Sequence, residues 1–346
     1  MRKIIPVILC LVVVFFAGSY FMINKRNYNF ILAGYISGKL TGREEGFDKK
    51  IAILRNYVHD NVHPVNGEQS RPDTSFSEKM TSGIGWCDQK ARVFIQLAKY
   101  AGIKTRLLYL IKEDGVSPHS IAEAWNGSKW VIVDPAFNLD LRNKEGGMAS
   151  MHDIEKDITI LVDNPRVRLF SKKNPIWNEP AFLTVYCRQP QVIDTKKAAG
   201  VNWLYIMPSF LREVIVLSAQ DIYILKAEKM YRNAPMEYLF FKARNYQLIG
   251  RNSQSESCYK EFLTKYDESA LADKTRFFYS LLLRDENRPK EAADILEEAV
   301  RKNKNPAWIP YFYGLKAELY GIMKDNKAAQ DMFKYYAEYP DAYFIK

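Results

Sequence analysis

The feature that most restricts the fold is a periodicity in the last third of the chain. Ala243, Ser280 and Ala317 stand 37 residues apart, as do Tyr246, Leu283 and Tyr320. Ser255, Ala292 and Ala329 follow the same spacing, and so do Tyr259, Leu296 and Phe333. A fixed period of this length marks stacked repeats, because each unit can cover its apolar face only with its neighbours. Small residues recur where two helices would approach closely, and large apolar ones where they would fill the gap. Polar breaks at Asn252-Ser253, Asp285-Glu286-Asn287 and Lys324-Asp325-Asn326 fall between the helices of each pair. Residues 236–346 are therefore expected to form three helical hairpins stacked into a short solenoid that binds a protein partner.

The remaining residues have enough apolar content for a separate core, since 47% of the 346 residues are hydrophobic. The net charge of +10 is spread along the chain. With no zinc-finger spacing, basic helix or RNA-binding signature, no nucleic-acid partner is expected. Ile4 to Ile23 is a run of twenty residues without a charge, flanked by Arg2-Lys3 and Lys25-Arg26. Twenty apolar residues span a bilayer core. The alternative is a signal peptide with Ala17-Gly18-Ser19 as its cleavage site, but the apolar run continues past it. We read residues 1–26 as an uncleaved single-pass anchor. Charges on both sides leave orientation open, and a short charged head favours an extracytoplasmic soluble part. Four cysteines are too few for a disulfide framework.

Beyond the anchor, 27–50 reads as a polar connector and 51–140 as a compact mixed core. Residues 141–235 read as an extension of that core. It holds a helix opening at Ser150, a strand-like 182–186, and an apolar stretch from Trp203 to Leu225 in which Pro208, Arg212, Glu213 and Asp221 argue against a membrane span, leaving a core helix or an interfacial helix, with the core reading favoured.

The chemistry gathers in 85–135. Cys87 follows Gly83-Ile84-Gly85-Trp86 and opens a helical pattern in which Ala91, Phe94, Ile95, Ala98 and Ala101 share one face, with Gly102 as its stop. A thiol at a helix start sits among unpaired N–H groups and the positive end of the dipole. Those conditions favour the thiolate and supply donors for an oxyanion. Downstream, His119 to Trp125 and Ser128 to Asp134 flank Asn126-Gly127, a strong two-residue hairpin signal. Such a turn pairs Trp125 with Ser128 and, counting outward, His119 with Asp134, within reach of a hydrogen bond. Asp134 would then orient His119 as the base for Cys87. His59, His63 and His152 have no such partner and read as ordinary surface or helix residues.

These residues resemble the transglutaminase-like superfamily, with its papain-like Cys-His-Asp triad. The resemblance rests on Gly85-Trp86-Cys87, Ala91, Phe94, Ala101-Gly102-Ile103 and Arg106, then His119, Glu123, Trp125, Trp130 and Asp134-Pro135. It extends upstream to a helix at Ile53-Leu54-Arg55-Asn56-Tyr57-Val58 and covers roughly 50–140. It implies an α+β core in which the cysteine helix packs on an antiparallel sheet, with Trp86 helping to line the oxyanion or substrate site. No metal site or cofactor is expected. The repeats in turn resemble tetratricopeptide repeats. The implied chemistry is attack on an amide carbonyl, a thioester intermediate, and release to water or an amine. A peptidase or amidase acting on a peptide or protein is expected over a cross-linking acyltransferase. The rival is a membrane-tethered scaffold that binds through its repeats.

Overall fold

The computed structural model describes residues 23–65, 75–111, 115, 117–168, 191–196, 203–302 and 304–337. The chain from 25 to 41 is a helix, not a connector. In α1 (Lys25–Thr41) Asn24 caps the start, its side chain accepting the Asn27 N–H at 3.0 Å, and Tyr28, Ile31, Leu32, Tyr35 and Ile36 are buried. Gly34, Ser37 and Gly38 are buried beside them. Small residues that admit a neighbouring helix give this segment the composition of a linker, which is why its helix is hard to read. Then come α2 (Phe47–Asn61), α3 (Phe76–Ser82, opened by a reciprocal Ser75/Glu78 cap) and α4 (Cys87–Tyr100). Gly102, at φ +77°, takes the left-handed position that ends α4.

Among the described residues, four strands form one antiparallel sheet in the order β3-β2-β1-β4: β1 (Thr105–Leu110), β2 (His119–Trp125), β3 (Trp130–Val133) and β4 (Gln191–Lys196). One face, with Leu107, Ala122, Ala124, Val131 and Val133, joins the core containing α1, α2 and α4. The other, with Leu108, Leu110, Ile121 and Ile132, is covered by Phe137, Leu139, Leu141, Ile154 and Leu161. With both faces covered, β2 is buried almost throughout and shows no polar alternation. Its Glu123 is matched by Arg106 directly opposite on β1, at 2.5 Å.

The β2–β3 hairpin differs from the two-residue turn. Asn126 Oδ1 accepts the N–H groups of Ser128 and Lys129 at 3.0 and 2.9 Å, and Asn126 N–H donates to the Lys129 carbonyl at 3.1 Å. The loop therefore has four residues, 126–129, and Trp125 pairs with Trp130, Glu123 with Ile132 and Ala122 with Val133. The register is displaced by two residues, so each side chain keeps its face. His119 and Asp134 become diagonal rather than opposed neighbours.

Short helices α5 (Met151–Lys156) and α6 (Thr159–Val162) follow the sheet, and Ser150 caps α5 as its sequence suggests. The strand-like 182–186 lies outside the described residues. The apolar stretch after 203 forms α7 (Trp203–Ile206) and α8 (Ser209–Met230), with Pro208 just before α8. Val216, Ala219 and Ile222 of α8 face the core, while Phe210, Val214 and Leu225 are exposed. The apolar run at 4–22 also lies outside the described residues, and among those described no helix is long and apolar enough to cross a membrane.

The C-terminal region is three helical hairpins: α9 (Pro235–Ile249) with α10 (Asn252–Tyr266), α11 (Ala272–Asp285) with α12 (Pro289–Lys302), and α13 (Ile309–Ile322) with α14 (Asn326–Ala337). The 37-residue spacing reappears in the backbone. Gly250, Asn287 and Lys324 take positive φ at the same point of each hairpin. The next N–H groups, of Arg251, Arg288 and Asp325, donate to the carbonyls of Tyr246, Leu283 and Tyr320 at 2.9 Å each. That is one Schellman cap written three times. At the close-approach positions Ser255 Oγ donates to the Ala243 carbonyl at 2.9 Å, and Ser280 Oγ to that of Ala292 at 3.2 Å.

The hairpins are not set apart from the rest. Val65 and Ile84 belong to the apolar cluster of α9–α13, and Leu248 and Ile249 of α9 belong to the cluster of α1–α4. Tyr311 OH donates to the Pro64 carbonyl at 2.6 Å, and Arg244 to that of Met80 at 3.0 Å.

A candidate cysteine–histidine–aspartate site

Cys87 is the first residue of α4, where no upstream carbonyl can take its N–H. The approach to it is fixed by a short parallel bridge: His63 N–H donates to the Gly83 carbonyl at 2.8 Å and Gly85 N–H to the His63 carbonyl at 3.0 Å. Gln89 reaches back to accept the Trp86 N–H at 2.9 Å. This leaves the thiol half-buried and Trp86 43% exposed beside it.

His119 and Asp134 are fully buried and joined by a 2.7 Å bond between Nε2 and Oδ2. The other carboxylate oxygen, Oδ1, accepts the Ala136 and Phe137 N–H groups at 2.9 and 3.0 Å. Asp134 is thus held by its own turn, and that turn is held by α2. Arg55 donates to the Asn138 side chain at 2.8 Å and to the Leu139 carbonyl at 2.7 Å. Phe137 lies against the imidazole, with ring centroids 4.7 Å apart. With Nε2 committed to Asp134, Nδ1 is the nitrogen left for Cys87, and the thiol and imidazole are hydrogen-bonded.

Electrostatics follow from this chain of bonds. Burial alone would raise the Cys87 pKa, but the hydrogen bond and charge of His119, with the Ser120 N–H, outweigh it and leave the thiol below its ordinary 9.0. Burial likewise disfavours a charged imidazole. The Asp134 carboxylate, through charge and hydrogen bond, and then Cys87 overcome it and raise His119 to about 10. Both shifts act in the same sense, favouring a thiolate–imidazolium pair over a buried carboxylate.

The three residues singled out in the sequence are therefore brought together, and Trp86 stands next to them. His59 is a helix residue, but neither it nor His63 is at the surface. Both are buried behind the triad, His59 Nδ1 meeting the Ala136 carbonyl at 3.3 Å and His63 Nε2 the Asp60 carbonyl at 3.0 Å. His152 is exposed, 3.7 Å from Glu155. Sequence reading also missed Arg55, Phe137 and Lys90. The signal for Lys90 was available: a lone charge on the apolar face of α4, which Phe94 and Ala98 share. Cys258 is buried and, with Cys87, is a free cysteine among the described residues. Cys10 and Cys187 lie outside them. Among the described residues no group of histidine, cysteine and acidic side chains is arranged to hold a metal ion.

Residues 34–135 match the family model of the transglutaminase-like superfamily, a span that runs from within α1 to the residue after Asp134. No curated protein and no solved structure matches the chain.

Proposed function

We propose that this chain is a cysteine-nucleophile enzyme that attacks amide bonds of a peptide or protein, and that it releases the acyl group to water more than to an amine. The observation that carries the reading is the continuous chain from thiol to imidazole to buried carboxylate, with the thiol already biased toward its ionised form. Cys87 Sγ adds to the carbonyl carbon while its own N–H stabilises the oxyanion. His119, protonated at Nδ1, hands that proton to the leaving amine as the carbon–nitrogen bond breaks. The neutral ring then takes a proton from water, which attacks the thioester and frees the acid. Trp86 offers a flat apolar surface to the substrate beside the thiol. Residues 1–26 tether the enzyme to a membrane in this reading, with the soluble part extracytoplasmic, and the repeats engage a protein partner.

The test is selective alkylation. At pH 7 an iodoacetamide or vinyl-sulfone probe should modify Cys87 at least about tenfold faster than Cys258, whose pKa burial raises. Equal rates at the two sites would remove the nucleophile assignment. Supplying hydroxylamine with a peptide amide should yield hydroxamate at the expense of acid, which measures how openly the thioester meets an amine.

The pH dependence has a definite sign. The thiol titrates below 9.0, so kcat/KM should rise along an acid limb and reach its plateau before that pH. His119 keeps its proton until about pH 10, where the leaving group loses its acid and the rate should fall. A profile controlled by a group near 6.5 would contradict a raised His119.

A further inference from the structure

Behind the triad lies a charge that the reaction above does not use. Lys90 is one helical turn after Cys87 on α4 and is fully buried. Its Nζ donates to the Ala136 carbonyl at 3.4 Å, the same carbonyl that meets His59 Nδ1. The N–H of Ala136 is one of the two donors that grip Asp134 Oδ1. A buried ammonium carries a desolvation cost of several kcal/mol unless anions oppose it. The groups facing Lys90 are Asp134 from the turn after β3, Asp60 from α2 and Cys87 from its own helix. Arg166, from the helical turn at 165–168, is the opposing cation, and His59 of α2 and His63, just beyond that helix, lie alongside with pKa values kept low by burial. Asp60 also faces Arg284 of α11 at 3.6 Å.

We propose that Lys90 is a positioning residue of the triad: its buried ammonium, one turn after Cys87 and bonded to the Ala136 carbonyl, favours the ionised thiol and closes the turn that aims Asp134 at His119. A cation here does what the helix start alone does weakly. It adds a full charge on the buried side of a thiolate whose other side must stay open to substrate. Burial lowers Lys90 to about 7, against the raising effect of its three anionic neighbours. Its charge is therefore present below neutral pH and lost above it, so its support for the thiolate is greatest on the acid side.

The inference rests on Cys87 being the nucleophile, and the two fail differently. The experiment measures iodoacetamide alkylation of Cys87 in the full chain against pH, resolved by peptide mass spectrometry. The parent should show a first midpoint below the ordinary 9.0 of a thiol and a second inflection near 7. Lys90→Met and Lys90→Gln should both raise the first midpoint by about one pH unit and abolish the second inflection. A folded variant with the parent's midpoint overturns the proposal, whereas a parent whose Cys87 reacts no faster than Cys258 overturns the nucleophile instead. Asp60→Asn, which keeps the lysine, covers the case in which neither replacement folds. Removing one anion should move the inflection near 7 to lower pH, and an unmoved inflection overturns the role of Lys90.

Discussion

Replacing His119 by Ala is expected to slow alkylation of Cys87 at pH 7 by about tenfold or more. The direction follows from ionisation: a thiol at its ordinary 9.0 is only about 1% thiolate two units lower, and each unit by which the imidazole lowers it raises that fraction about tenfold. Without the imidazole, Cys87 keeps the Ser120 N–H, the helix start and the Lys90 charge, while burial still raises it. Turnover of an amide should fall further, because the same substitution removes the acid for the leaving amine, a contribution of about 10²–10⁴. Asp134 would be left buried without its counter-cation, which lowers stability as well. The rate is therefore read on the folded fraction, with circular dichroism alongside. A folded His119→Ala protein whose Cys87 reacts at the parent's rate would remove the imidazole from the mechanism.

The second large effect is structural and lies on the path into the nucleophile. Gly83 ends α3 at φ +67°, and a Cβ built there would sit 2.0 Å from Cζ of Phe278 on α11. Gly83→Ala combines a left-handed L-residue with overpacking of a buried ring, so a loss of about 3 kcal/mol is expected. A urea titration that follows the midpoint at constant slope measures it. The two parts separate in a double-mutant cycle, because Phe278→Ala opens the space and leaves only the backbone cost. In that background Gly83→Ala should lose about 1 kcal/mol. A full-sized loss there would mean that the ring is not the obstacle.

The sequence made the triad legible for reasons of different strength. A cysteine opening an apolar-faced helix and a His–Asp pair across one hairpin are local signals, and local signals survive into the fold. The register was read wrongly, since the Asn126 side chain closes a four-residue loop that its dipeptide alone does not reveal. The pairing survived because a displacement of two preserves the face. The face itself was never in doubt, as Ile121 and Ile132 had to stay in the core.

What could not be read was set by tertiary burial. His59, His63 and Lys90 look like solvated charges in any short window. They are buried only because α2 packs on the turn after Asp134 and the aromatic residues of α11 and α13 close over His63. Helix α1 was hidden by its own small residues. Strand β4 is an edge strand that joins β1 through a shift between Leu107 and Leu108, and it carries no strong pattern of its own. The repeats were the opposite case, with a period clear enough in side chains to reappear as three identical backbone caps.

The seam between Gly83, Ile84 and Phe278 bears on how such a chain comes apart. The strand that delivers the cysteine rests on the second hairpin of the array, and the Pro64 carbonyl is tied to Tyr311 of the third. Removing the hairpins would carry away the floor under Cys87, so the mixed core and the array are expected to unfold together.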